Sequence, residues 1–143
     1  MTSLAREAFV PYTAAQMFEL VHDVEHYVEF LPHCTKSTVL ESTEEYMIAS
    51  VEISALNVTK SFTTKNTFIT DKQLTMTHVE GPFNHLVGRW DFENLGKDGC
   101  KISLQLDFDI KGGLKAMVFG MLFNKVADKL VDAFVKRAQT VYG

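Results

Sequence analysis

His22-Asp23-Val24-Glu25-His26 carries the HxxEH order, which in inverted zinc proteases sets two histidines on one helical face with a glutamate as general base. The stretch falls where a helix is expected to end, and no third ligand accompanies it. These five residues are therefore read as exposed or capping polar groups, and no metal site is expected. His33, His78 and His85 show no ligand spacing and read as surface or rim histidines. No GxSxG elbow is present, and neither Cys34 nor Cys100 has an identifiable base, so nucleophilic chemistry is not expected. Asp107 and Asp109 share one face of a strand, as on a solvated side, and paired-carboxylate catalysis would need a second wall. Gly112-Gly113 ahead of a helix could receive an anion, but two glycines also make a hinge, the reading adopted. No catalytic residue is assigned, and the chain is not expected to be an enzyme.

The large rings Phe30, Phe83 and Trp90 stand near turns and strand ends. They are either core or the walls of a cavity whose apolar lining suits an apolar ligand. Phe108, Gly120 and Phe123 are counted with those walls, and Met117 and Met121 could adapt to a variable chain at the entrance.

Positioning falls to the last third of the chain. From Gly112-Gly113 to Tyr142 it reads as one long helix, whose first turns crowd Leu114, Met117, Phe119, Met121, Leu122 and Phe123. A surface helix needs only one apolar stripe, so the surplus must cover a cavity, touch a membrane or dock on a partner. At ten residues the run is too short for a bilayer, which takes about 20. Ala116, Gly120 and Ala127 lie on the side facing the sheet. Glycine there costs about 1 kcal/mol of helix propensity. Small residues either let the helix pack tightly or leave space beneath it, and space is the reading taken.

Charge is unevenly distributed. Residues 111 to 143 hold six basic and two acidic residues in a chain whose formal charge is −4, so the remainder carries −8. The five lysines of that segment fall within roughly 80° on a helical projection, opposite Phe123, Ala127, Leu130, Val131, Phe134 and Ala138. A lysine stripe is ordinarily a solvated face. Lys125, Lys129 and Lys136 are the candidates for contact with anionic lipid heads or RNA phosphates. Two distant cysteines make no disulfide framework and point to a reducing compartment. The start lacks the basic and apolar regions of a secretory signal, so a cytoplasmic protein is expected, at most peripheral to the inner membrane.

At 143 residues and 46% hydrophobic content the chain fits one domain over residues 1 to 143. A first strand over residues 3 to 10 ends at Pro11. Thr13-Ala14-Ala15-Gln16 forms a capping box for a helix to about His22. A short helical turn spans Val24 to Leu31, ended by Pro32. From Thr35 the period becomes two: Met47 to Ile53, Leu74 to Val79, Leu86 to Phe92 and Ile102 to Ile110 alternate as half-buried antiparallel strands. Glu80-Gly81-Pro82-Phe83 and Gly96-Lys97-Asp98-Gly99 are turns.

This order resembles the helix-grip fold of START-like lipid-binding domains in the polyketide cyclase/dehydrase superfamily. The motifs Val10-Pro11-Tyr12, Asp23-Val24-Glu25 with Tyr27, Phe30-Leu31-Pro32 before Cys34, Phe62-Thr63-Thr64, Glu80-Gly81-Pro82-Phe83, and Leu86, Gly88, Trp90 and Phe92 carry the resemblance, with Phe134 and Arg137-Ala138 near the end. They resemble the coenzyme-Q-binding branch, which includes mitochondrial coenzyme-Q-binding proteins and, closest in pattern, bacterial ribosome-association toxins. One position departs: His33 stands where many members have Trp. The resemblance implies an α+β fold in which a curved antiparallel sheet of about seven strands wraps a long C-terminal helix, with two short helices after the first strand. It further implies a tunnel between sheet and helix for ubiquinone or a related isoprenoid lipid in support of respiration, with no required cofactor. The alternative it implies is binding to the large ribosomal subunit, blocking subunit joining. A transient membrane contact accompanies the first reading, and no DNA partner is expected. An aromatase or cyclase of the same fold is disfavoured for want of an acid/base pair.

Overall fold

The computed structural model describes residues 1 to 55 and 57 to 143; the side chains of Leu114 and Lys115, counted above among the apolar and basic positions of the C-terminal segment, lie outside the described residues. Its elements are β1 (Thr2–Val10), α1 (Ala14–His22), a 3-10 helix (Val24–Glu29), then β2 (Cys34–Ser42), β3 (Tyr46–Ala55), β4 (Val58–Ile69), β5 (Gln73–Glu80), β6 (Phe83–Asn94) and β7 (Cys100–Ile110), followed by α2 (Leu114–Asp128) and α3 (Leu130–Tyr142).

The seven strands form one antiparallel sheet in the order β1-β7-β6-β5-β4-β3-β2, so each hairpin joins neighbours and only β1 crosses to pair with β7. It curves around the C-terminal helices in the α+β helix-grip arrangement. Alternation decides which face is inside. Leu86, Gly88, Trp90 and Phe92 on β6 and Ile102, Leu104, Leu106 and Phe108 on β7 are all buried. At Gly88 a β-carbon would meet the Met76 methyl at 2.5 Å and Leu106 Cδ1 at 3.0 Å, so those side chains would have to shift to admit it. Gly81 sits at φ +146° in the β5–β6 turn, with the Phe62 β-carbon 2.6 Å from where its own would lie.

α1 begins as the capping box predicts. The Gln16 amide donates to Thr13 Oγ1 at 3.1 Å and the Thr13 amide donates to Gln16 Oε1 at 2.9 Å. The expected single C-terminal helix is corrected: it is two helices, parted at Lys129. Its backbone sits at φ −99°, ψ 1°, and its amide reaches the Val126 carbonyl, tightening the turn. Neither Pro nor Gly marks the break. Its cause is that the halves serve different cores. Phe119, Leu122, Phe123 and Val126 of α2 pack with Phe83, Leu86 and Phe108. Val131, Phe134 and Ala138 of α3 pack with Trp90, Phe92 and α1. At the junction Asp128 is ion-paired to Arg6 on the edge strand β1, and Tyr142 at the far end donates to the Gln16 carbonyl at 2.9 Å.

Candidate functional site

Between the concave sheet and the α2–α3 junction lies a partly open cavity of about 90 Å³. Ala49, Val51 and Ile53 of β3, Phe62, Thr64 and Asn66 of β4, and Phe123, Val126, Ala127 and Leu130 of the helices face it, with Val24, Tyr27 and Leu31 closing one end. It lies where the core clusters meet. Small-molecule pockets ordinarily run about 300–1,000 Å³, so the space admits only a fragment of a prenylated quinone in this state. The cavity occupies the place expected for the tunnel, between sheet and helix.

Of the eight ligand-binding residues expected from sequence, the cavity gathers Phe123 alone. Phe83 and Phe108 are buried in the aromatic cluster beside it, with ring centres 4.9 and 4.8 Å from Phe123. Trp90 is deep core, edge-on to Phe134 at 5.3 Å. Phe30 packs outside on Tyr27 and Phe134 with the Arg137 guanidinium 5.0 Å over its ring. Met117 and Met121, 66% and 70% exposed, point away from the cavity. Gly120 borders a shallow depression with Met117 and Phe108 rather than the cavity, and a β-carbon there would make ordinary contact with Ile110 at 3.5 Å. Gly120 thus neither packs tightly nor opens the cavity, whereas Ala127 does line the space. Lys125, Lys129 and Lys136 are exposed on the outer surface; the last two border an open groove with Phe30, Glu29 and Arg137.

Thr64 and Asn66 are what the sequence reading missed as site residues. They are 7% and 3% exposed, the buried polar side chains among the described residues, and they sit in an otherwise apolar wall. The Thr64 hydroxyl donates to Asn66 Oδ1 at 2.7 Å. Tyr27 and Cys34 also face the cavity. Tyr27 donates to the Val21 carbonyl, and burial pushes its phenol far above the ordinary value, with the Asp23 charge adding to it. Burial likewise pushes the Cys34 thiol up, so it stays protonated and weakly nucleophilic.

His22 and His26 do not join in a metal site. His22 packs edge-on to Phe68 at 4.7 Å, while His26 Nδ1 pairs with Asp23 at 2.6 Å. His33 takes a left-handed conformation, φ 64°, and its carbonyl accepts from the Ser54 amide. Gly112-Gly113 form a bend in open space, with Gly113 at φ +121°.

The model of the family described as polyketide cyclase / dehydrase and lipid transport matches residues 10–135. The chain is 43% identical over 142 residues to the persistence and stress-resistance toxin PasT of Escherichia coli O6:H1, covering 99% of this chain and 90% of that protein. It is 42% identical, with the same coverage, to the ribosome association toxin RatA of Escherichia coli K12. A mitochondrial coenzyme Q-binding protein COQ10 homolog B of Xenopus laevis is 28% identical over 92% of this chain and 56% of its own length. Among solved structures, the Zhui aromatase/cyclase from Streptomyces sp. R1128 superposes with TM-score 0.84 at 15% identity, covering 96% and 93% of the two chains. The 18 kDa protein CC1736 from Caulobacter crescentus does so with TM-score 0.76 at 26% identity, covering 100% and 99%.

Proposed function

The chain belongs to the polyketide cyclase / dehydrase and lipid transport family, and from that membership we propose that it is a non-enzymatic binder of ubiquinone or a related isoprenoid quinone. The observation that carries this reading is the apolar cavity between sheet and helices. The COQ10 likeness supports the ligand class. The wall supports binding over catalysis: no carboxylate or histidine is among the described residues that line it, and Tyr27 and Cys34 are held in their neutral forms. General acid–base catalysis requires a group that exchanges protons near the working pH.

Loading requires more room than about 90 Å³. α2 is the element that can give it, being flanked by Gly112-Gly113 and by the break at Lys129. Met117 and Met121 on its outer face suit brief contact with a bilayer surface, from which a quinone would be drawn. No helix of the described residues is long and apolar enough to cross a membrane. We place the protein in the cytoplasm, visiting the inner membrane.

A second reading rests on the relatives at 42–43% identity that carry toxin names, one of them for ribosome association. Here Lys125, Lys129 and Lys136 would meet phosphates of the large subunit, and the two roles occupy different surfaces. The test of the first is organic extraction of freshly purified protein with mass spectrometry, followed by titration of the extracted protein with ubiquinone. A near-stoichiometric quinone, or saturable uptake after extraction, is the expected result. Protein that carries none and takes up none overturns the quinone reading.

A further inference from the structure

β4 turns Phe62, Thr64, Asn66 and Phe68 toward the interior, so two polar side chains interrupt an apolar strand face where it meets the cavity. Thr64 pairs across the ladder with His78 of β5, placing that imidazole on the same face. The pairing slips here: Thr63 opposes Glu80 and Thr64 opposes His78, leaving Val79 as a bulge that points outward. Bulges of this kind re-aim neighbouring side chains. His78 Nε2 is buried without a hydrogen-bond partner among the described residues.

The Thr64 hydroxyl is spent on Asn66 Oδ1, which leaves the two N–H groups of the Asn66 amide outside that bond at the cavity wall. Buried polar groups are ordinarily paired, and the unpartnered His78 Nε2 behind this wall is the kind of exception that calls for a ligand or water. We propose that Thr64 and Asn66, backed by His78, form the subsite for the oxygen-bearing head of the cavity's ligand, with Asn66 Nδ2 donating to a neutral carbonyl oxygen. A charged head does not suit the site. No cation or carboxylate faces the cavity among the described residues, and a lone buried charge is far costlier than a neutral acceptor. A quinone carbonyl on an apolar tail meets both demands. The assignment rests on the quinone reading and adds where the head lies.

The test is calorimetric titration of the full chain with decylubiquinone and with decylbenzene, which matches the tail and lacks the oxygens. The variants are Asn66→Leu and the double Thr64→Val/Asn66→Leu, each checked for an unchanged circular dichroism spectrum. Wild type should prefer the quinone by about tenfold, the worth of one hydrogen bond, and both variants should lose that preference while keeping decylbenzene affinity. A preference retained in Asn66→Leu, or absent from wild type that binds both probes, overturns the subsite and leaves the cavity as a binder of apolar chains. Wild type that binds neither probe overturns the quinone reading and the subsite with it.

Discussion

Asn66 and Thr64 are coupled through one hydrogen bond, so their substitutions should not add. Thr64→Val removes the donor to Asn66 Oδ1 and strands a buried acceptor; we expect it to cost about 1–3 kcal/mol in urea unfolding. Thr64→Val/Asn66→Leu removes both partners in near-isosteric form and should be close to neutral or stabilising. Effects of Thr64→Val and Asn66→Leu that sum to that of the double variant would mean the pair is not coupled. His26 makes a different statement. The hydrogen bond that its imidazole donates to Asp23, then the Asp23 charge, raises its pKa above the ordinary 6.5. A raised histidine pKa stabilises the fold below the unfolded pKa, and that contribution disappears as pH rises through the folded value. Wild type should therefore be more stable than His26→Ala by a wider margin near pH 6 than near pH 9, and an equal margin at both would rule the pairing out. Sequence reading found the large rings and missed Thr64 and Asn66. Aromatic residues announce an interior by type, whereas Thr and Asn are ordinary on a surface, and only the register of β4 turns them inward.

At the scale of elements, what was legible was what alternates. Ile102 to Ile110 and Leu86 to Phe92 show clean period-two burial, and the Thr13 box fixed the start of α1. β4 was invisible as a distinct strand because its inward face reads Phe62, Thr64, Asn66, Phe68, and the polar pair that interests us is what erased the pattern. The break at Lys129 was equally hidden, since Lys is a good helix former and the apolar stripe stays in phase across it; it arises from tertiary demands of two cores. α2 starts at Gly113 with no side-chain cap and no acidic residue in its first turn, leaving its amides and the positive end of its dipole without compensation. Its amides should exchange with deuterium faster than those of α3 and slow on quinone loading; exchange in α2 as slow as in β6 and β7 would deny it a lid role. Gly120→Ala, which meets only ordinary contact with Ile110, should stabilise the protein by up to about 1 kcal/mol in thermal melts and leave ligand binding unaltered. The sequence counts Gly120 with the cavity walls, but it lies outside the lining.

Across the whole molecule the polar pair faces inward and the lysines outward, so the two functional readings can be separated by substitution. Lys125, Lys129 and Lys136 are exposed and make no ion pair among the described residues, on the basic end of a chain whose net charge is −4. Contacts between lysine and phosphate release counterions, and each steepens the salt dependence of binding by roughly 0.7–0.9 in the log–log slope. If those three residues meet ribosomal RNA, Lys→Glu reversal at all three should abolish co-sedimentation with large subunits at physiological salt, and the wild-type slope should be about −2 or steeper. The same triple variant should bind quinone as wild type does, because none of the three lines the cavity. Asn66→Leu should behave in the opposite way, losing the quinone preference while still sedimenting with subunits. Co-sedimentation that survives the reversal with its salt slope intact would remove these lysines from any ribosomal contact. Loss of subunit binding in Asn66→Leu would instead require the loaded cavity to control the outer surface, and α2, with Phe123 and Ala127 inside and Lys125 outside, is the element able to transmit it.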